Sequence, residues 1–202
     1  SRFEQLWQDA HPDASEPRPP PAAKASAGLT YTGTLTDREY LALRGVFYTD
    51  VFVDKPVEFK LPLRNAILTE ALVDGQPARI RVTSTSPPVQ HRPAQQAQRL
   101  PVPGKRSVSA VTVAGKGRHQ VELQLRIPLT RHGGWRSAAA VLPSLPATAI
   151  DLTVPEAGTE VRLDTIPDRK SYKTEQPNRT IKTALSKAGR LRVAWRPKVA
   201  EG

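Results

Sequence analysis

The residues of this chain that could do chemistry are few and widely spread. Its histidines are His11, His91, His119 and His132, and no cysteine accompanies them. Without cysteine there is no thiolate nucleophile, no thiolate-ligated metal and no disulfide. None of the four histidines has a second histidine or a carboxylate at the helical or CxxC-like spacing that metal sites use, so a zinc or iron centre is not expected. His119 opens an alternating segment just after Gly115-Lys116-Gly117, where a turn hydrogen bond is its expected role.

The close carboxylate pairs are Asp37/Glu39, Asp50/Asp54 and Glu156/Glu160, and each reads as a solvated turn. A glycosidase needs two carboxyls ~5–10 Å apart across a cleft, which sequence spacing does not provide. A calcium loop needs a denser run of oxygen ligands, which is missing. No GxSxG elbow, Walker A loop or GxGxxG fingerprint occurs. Gly115-Lys116-Gly117 is too short to cradle a phosphate, and Ser144, set in LPSLP, has no apparent base. The expectation is a non-catalytic protein without cofactor or metal.

Charge is the remaining signal. The 202-residue chain has a net charge of +11. Residues 1–75 hold 8 Lys/Arg against 11 Asp/Glu, and residues 76–202 hold 22 against 8, so the positive charge belongs to the second part. Such a field attracts an acidic protein surface, lipid headgroups or nucleic acid. Specific nucleic-acid readers interleave exposed aromatics with their charge. Across residues 162–198 only Tyr172 and Trp195 are available, and Trp195 is in phase with Leu191 and Val193 on an apolar face. Specific nucleic-acid recognition is therefore not expected.

The elements that must position these charges are strands. Residues 115–129, GKGRHQVELQLRIPL, place Val121, Leu123, Leu125, Ile127 and Leu129 on one face and Glu122, Gln124 and Arg126 on the other. That is a strand with a dry side and a wet side, the wet side exposed and dispensable. The same alternation occurs in 29–35, 42–54, 57–63, 108–114, 148–154, 159–164, 179–185 and 190–196. Residues 66–82 carry Asp74-Gly75, a reverse-turn signal between apolar runs. Pro62 inside an alternating run suggests an edge strand or a strand end. Short strands separated by turns indicate an all-β fold, a two-sheet antiparallel β-sandwich spanning 29–197.

Three segments lack a fold-building pattern. Residues 1–28 read as an extended arm, with a short helix near 1–9 presenting Phe3, Leu6 and Trp7, then a Pro/Ala/Ser-rich linker. Residues 84–106 are a Pro/Gln-rich insertion containing Arg92 and Arg99, and 165–178 form a basic loop containing Arg169, Lys170, Tyr172 and Lys173. Loops of this kind carry function more often than stability. Phe3, Trp7, Arg92, Arg99, Arg169, Lys170, Tyr172 and Lys173 are accordingly the expected partner-binding residues, and 198–202 a tail. No stretch approaches the ~20 apolar residues of a membrane-spanning helix, so a soluble chain is expected. Methionine is absent, position 1 included, so the chain is expected to begin after a removed segment such as a signal peptide or at a trimmed boundary.

Five strings carry a family resemblance: YTGTL at 31–35, VDGQPARI at 73–80, GKGRHQVELQLRIPL at 115–129, LPSLPATAIDLTVPEAGTEVRL at 142–163 and GRLRVAWRP at 189–197. In order and spacing the chain resembles β-sandwich domains of large exported bacterial envelope proteins. The 84–106 insertion and the 165–178 loop depart from that pattern. The resemblance implies an extracytoplasmic, scaffolding role in the periplasm or cell envelope, and brings over no functional residue. The resulting expectation is a structural or protein-interaction subunit of an envelope or membrane-associated assembly. A binder of anionic polymers or lipid headgroups, and a glycan-active or glycan-binding sandwich, are the alternatives.

Overall fold

In the computed structural model, which describes residues 2–3, 5–6, 22–85, 106–164 and 169–197, the alternating segments are strands. In chain order they are β1 (Lys24–Thr34), β2 (Tyr40–Val51), β3 (Val57–Pro62), β4 (Ile67–Val73), β5 (Gln76–Pro77), β6 (Arg79–Thr85) and β7 (Arg106–Val113). The second half of the chain supplies β8 (Gly117–His132), β9 (Trp135–Val141), β10 (Ala147–Val154), β11 (Glu160–Asp164), β12 (Arg169–Lys173), β13 (Arg179–Leu185) and β14 (Arg190–Arg196). Eleven of them form one curled sheet, a half-barrel, in the order β12-β11-β14-β9-β8-β2-β1-β10-β13, with β4 and β5 attached through β8. The other three make a small antiparallel sheet, β3-β7-β6. Pro62 ends β3, an edge strand of that sheet, where a missing N–H costs no ladder bond.

The fold is all-β, as expected, but the arrangement is not purely antiparallel. β1 and β10 run parallel, in register from Gly28 opposite Ala147 to Thr34 opposite Thr153. A parallel pair needs a long crossover connection, and here the chain passes through β2 to β9 before β10 returns beside β1. Local turn signals reveal hairpins and say nothing of such a return.

β8 is the longest strand, with 16 residues, and it has partners on both sides. Along one edge it pairs with β2 from Tyr40 opposite Pro128 to Val51 opposite Gly117. Along the other, β4 takes its first part (Ile67 opposite Arg126 to Val73 opposite Val121), and β9 its last (Leu129 opposite Ala138 to His132 opposite Trp135). Val121, Leu123, Leu125 and Ile127 are at most 1% exposed, and Leu129 is partly buried.

The wet face of β8 is less exposed than the alternation predicts: Arg126 is exposed, but Glu122 and Gln124 are half-buried. Strands on both sides crowd them. Arg44 of β2 grips Glu122 Oε2 through Nε (3.0 Å) and Nη2 (2.6 Å), and Gln120 Nε2 donates to Glu122 Oε1 at 2.8 Å. The Arg126 guanidinium lies 4.5 Å from the centre of the Tyr40 ring, and that of Arg118 lies 4.9 Å from Tyr48. This face is a ladder of cross-strand pairs, each stabilising by a fraction of a kcal/mol, on the order of 0.2–1.

The small sheet lays Val57, Phe59, Leu61, Val111 and Val113 on the same core as the large one. Phe47 and Phe59 meet across the two sheets with ring centroids 5.6 Å apart, and Lys24 Nζ stands 3.7 Å above the Phe59 ring. Tyr31 is fully buried, and its hydroxyl donates to Pro143 O at 2.8 Å. Its ring fills the space over Gly45 on the neighbouring strand, where a Cβ would stand 2.6 Å from Tyr31 Cε1.

Several expected boundaries shift. β1 begins at Lys24, inside the stretch read as linker. Arg2, Phe3, Gln5 and Leu6 are helical, with Phe3 and Leu6 exposed; no complete helix lies among the described residues. Trp7, Arg92, Arg99, most of 84–106, part of the 165–178 segment and the 198–202 tail lie outside them. Within 165–178, residues 169–173 form the strand β12 at the edge of the large sheet rather than a loop. β9, WRSAAAV, is a strand that the sequence pattern did not mark, because alanine has little β preference and its small side chain hides the alternation.

Truncating Leu125 to Ala is expected to cost roughly 2–5 kcal/mol in urea denaturation, as core leucines do. Gln124→Ala should stay within about 0.5 kcal/mol, since its side chain only rims a groove. Gly45→Ala should cost about 1–3 kcal/mol by overpacking against a ring that its own hydroxyl holds in place.

Candidate functional site

The strands β12, β11, β14 and β9 turn one face inward and one outward. Leu191, Val193 and Trp195 of β14 are buried, as are Val161 and Leu163 of β11 and Ala138 and Ala140 of β9. Alternation then places Arg190, Arg192 and Arg196 outward on β14, Glu160, Arg162 and Asp164 on β11, and Trp135, Ser137 and Ala139 on β9. On β12, Lys173 stands opposite Glu160 and is exposed, while Tyr172 faces the other way and packs half-buried against the core. The outer face of these four strands therefore concentrates arginine and lysine around two carboxylates.

One carboxylate organises most of that charge. Glu160 accepts from Arg162 through Oε1 (2.9 and 3.2 Å) and from Arg196 through Oε2 (2.8 and 3.0 Å). Both guanidiniums also lie over the Trp135 ring, at 4.1 and 4.7 Å from its centre. The hydrogen bond from Arg196 is the main cause that holds the Glu160 carboxyl below its usual range, with burial opposing it and Arg162 assisting. Asp164 lies 3.4 Å from Arg192, a looser pair.

Beside this cluster is a cleft of ≈ 390 Å³ lined by Arg64, Asn65, Ala139, Arg190, Arg192 and Asp164, among others. The link from β3 to β4 is strapped along the edge of β9 that β14 leaves free, and forms one wall. Arg64 N donates to Val141 O (3.1 Å), Val141 N donates to Arg64 O (2.9 Å), and Asn65 Nδ2 donates to Ala139 O at 2.6 Å. Asn65 adopts φ 53°, a left-handed conformation that asparagine tolerates better than most residues. The Arg64 and Arg190 guanidiniums have no carboxylate or ring partner among the described residues. A second groove of ≈ 490 Å³ runs over Thr32, Thr34, Tyr40, Ala42, Gln124 and Thr153, and no Asp or Glu lines it. Neither cleft sets two carboxylates facing each other, the arrangement glycoside hydrolysis uses.

The other titratable residues tie turns together. His119 Nδ1 meets Asp74 Oδ2 at 2.7 Å, its Nε2 meets Gly115 O at 3.0 Å, and Gln120 N donates to Asp74 Oδ1 at 2.8 Å. This joins the two-residue Asp74-Gly75 turn, with φ 51° and 77°, to the turn before β8. Both ring nitrogens face acceptors, so the charged ring is favoured. The Asp74 bond raises the His119 pKa above 6.5 against a smaller effect of burial, and the same bond holds Asp74 below 3.8. Asp37 is likewise gripped by Arg136 (2.5 Å) and Arg131 (3.2 Å), and Asp54 by Lys116 (2.9 Å). Asp37, Asp54 and Glu160 are thus ion-pair anchors rather than merely solvated turn residues. Among the described residues, no group of three or more His, Asp or Glu could hold a metal ion.

Of the residues expected to bind a partner, Phe3 is exposed, and Arg169, Lys170, Tyr172 and Lys173 belong to β12, with Lys173 on the outer face and Tyr172 on the inner. Trp7, Arg92 and Arg99 lie outside the described residues. Arg162, Arg190, Arg192 and Arg196 belong to the basic 162–198 stretch but fall outside that expected set, and Arg64 and Trp135 belong to neither. The signal for β14 was present in RLRVAWR, where every second residue is basic or small; for Arg64 there was none, since its place depends on the strap.

No protein-family model matches this chain, and no curated protein matches it. Among solved structures it is similar to an M1 zinc metallopeptidase from Deinococcus radiodurans, at 10% identity and TM-score 0.45, covering 85% of this chain and 42% of that one. It is similar also to yeast LTA4 hydrolase bound to bestatin, at 12% identity and TM-score 0.47, covering 92% and 32%. A third is a candidate nutrient-binding protein from Legionella pneumophila, at 8% identity and TM-score 0.45, covering 86% and 67%. The chain spans less than half the length of the first two. The similarity transfers no residue, metal or substrate to this chain.

The His119–Asp74 pair has a definite pH signature. A histidine whose folded pKa is raised contributes stability that is complete below 6.5 and is lost as pH rises through the folded value. Asp74 contributes above 3.8 and loses its share as pH falls through its lowered folded value. The gap in urea midpoint between wild type and His119→Ala should therefore be widest between 3.8 and 6.5 and shrink at alkaline pH. A gap that widens with rising pH would show that the ring is neutral in the folded state.

Proposed function

We propose that this protein is a non-catalytic, extracytoplasmic subunit of a cell-envelope or membrane-associated assembly, and that it docks on an acidic partner protein through the outer face of β12, β11, β14 and β9. The observation that carries this reading is the charge of that face: Arg162, Lys173, Arg190, Arg192 and Arg196 project outward against Glu160 and Asp164. Held on a rigid sheet, these side chains lose little freedom on contact, and their field steers an acidic surface toward them. The resemblance of the five sequence strings to exported envelope domains supports the location. The exposed Phe3 and Leu6 support a second, apolar contact through the arm.

Sequence-specific binding of nucleic acid is not part of this reading. Trp135 is an aromatic on the outer face, and its ring is occupied by Arg162 and Arg196, so it offers no free platform for a base. Anionic lipid is the second reading, favoured by the same charge without any further feature.

Wild-type protein is expected to bind immobilised poly-glutamate at low salt and to release it steeply as salt rises. The double variant Arg162→Ala/Lys173→Ala should bind more weakly at an unchanged melting temperature. Stronger retention on phosphatidylglycerol vesicles than on poly-glutamate would favour the lipid reading. Removing residues 1–21, which stops short of β1 at Lys24, should leave the melting temperature unchanged while reducing co-purification with the native assembly. Unfolding of the shortened chain would show that the arm belongs to the core instead.

A further inference from the structure

We infer that the cleft between the Arg64 strap and β14 is a seat for a phosphoryl group, taking a phosphate monoester. The cleft belongs to the basic face, but its ligand is small and its lining is distinct, so it goes beyond the docking role proposed above. Three arginines line it from two sides: Arg64 from the strap, Arg190 and Arg192 from β14. With Asp164 as the one carboxylate among the described lining residues, their formal charge sums to +2, which matches a dianionic monoester. A carboxylate presents two oxygens in one plane and is satisfied by a single guanidinium fork. A phosphoryl group presents three oxygens in three directions, which suits donors arriving from opposite walls.

The remaining features fit the same occupant. Most arginines around the sheet are already engaged: Arg44 with Glu122, Arg131 and Arg136 with Asp37, Arg162 and Arg196 with Glu160, Arg118 and Arg126 on tyrosine rings. Arg64 and Arg190, like Arg38, Arg79 and Arg179, have no such partner among the described residues, and these two line this cleft together. Two unneutralised cations placed together repel each other, an arrangement an anion relieves. Arg64 is held there by two main-chain hydrogen bonds to Val141, and the small side chain of Ala139 is part of the lining. Asn65 adds an amide to the rim.

Glycerol 3-phosphate, titrated into the full chain by calorimetry with the arginine Nε–H signals followed by NMR, is the direct probe. Saturable binding is expected, weakened roughly tenfold or more in Arg64→Ala and in Arg190→Ala by loss of a charged hydrogen bond. Ala139→Leu, which adds bulk to the lining without changing charge, should weaken it similarly, while Arg179→Ala, on a strand at the far edge of the sheet, should not. Vesicles containing phosphatidic acid form the second arm. Binding to these alone, with the same variant pattern, would identify a lipid headgroup as the source of the monoester, and binding of glycerol 3-phosphate would identify a soluble one. Absence of saturable binding in both arms, equal loss in Arg179→Ala, or succinate binding as tightly as the monoester would overturn the inference. Retention of poly-glutamate binding in Arg64→Ala would leave the docking face intact, so the two ideas fail separately.

Discussion

The structure depends on β8 being satisfied on two faces and two edges at once. Its inner row, Val121, Leu123, Leu125 and Ile127, is fully removed from water, and that burial fixes which way every neighbouring residue points. A one-residue slip would bring Glu122 and Gln124 into the core and take the leucines out. β2 confirms the register along the whole of one edge, and β4 and β9 share the other. The point where β4 gives way to β9 is where the large sheet divides, one branch leading to the small hairpin of β4 and β5 and the other to β14, β11 and β12. The basic face exists because β9 continues from β8 at that division.

The charge on that face is a consequence of the core rather than an independent decoration. β14 can bury Leu191, Val193 and Trp195 only by sending Arg190, Arg192 and Arg196 to the other side. Crowded guanidiniums on adjacent strands repel, and the sheet relieves this with one half-buried carboxylate and one ring. Glu160 divides its two oxygens between Arg162 and Arg196, and Trp135 lies beneath both. Removing Glu160 would therefore release two cations together, so its neighbours act as a unit and their contributions do not add.

Much of this was legible in the sequence because period-two alternation is a direct record of burial. It identified the inner row of β8, placed Trp195 in the core, and marked Asp74-Gly75 as a turn and Pro62 as a strand end. It failed where the record is faint or non-local. β9 alternates alanine with alanine, so its two faces look alike in the sequence. β12 was hidden in a basic stretch whose outward residues resemble those of a loop. The parallel pairing of β1 with β10 joins segments separated by most of the chain, and no local pattern encodes it. Arg64 was illegible for the same reason: its position follows from an isolated bridge to Val141, a contact between residues far apart in the chain.

The polar contacts fall into two kinds, and their difference explains where chemistry can reside. Asp37, Asp74 and Glu122 each bind side chains across neighbouring turns or strands, with short distances and every strong donor answered. Such pairs are closed. They fix geometry, and an incoming ligand would have to displace a partner already in place. Arg64 and Arg190 are open: their main chains are committed to the fold while their charged ends meet no carboxylate or ring among the described residues. A sheet built by alternation supplies closed pairs readily, because residues opposite each other in register come from strands that already share a ladder. Arg64 and Arg190 flank Val141 on the two edges of β9, one through an isolated bridge and the other through the ladder, so the same rung brings two cations together without a carboxylate. The proposed phosphoryl seat uses that rung, while the closed pairs elsewhere fix the geometry of the sheet around it.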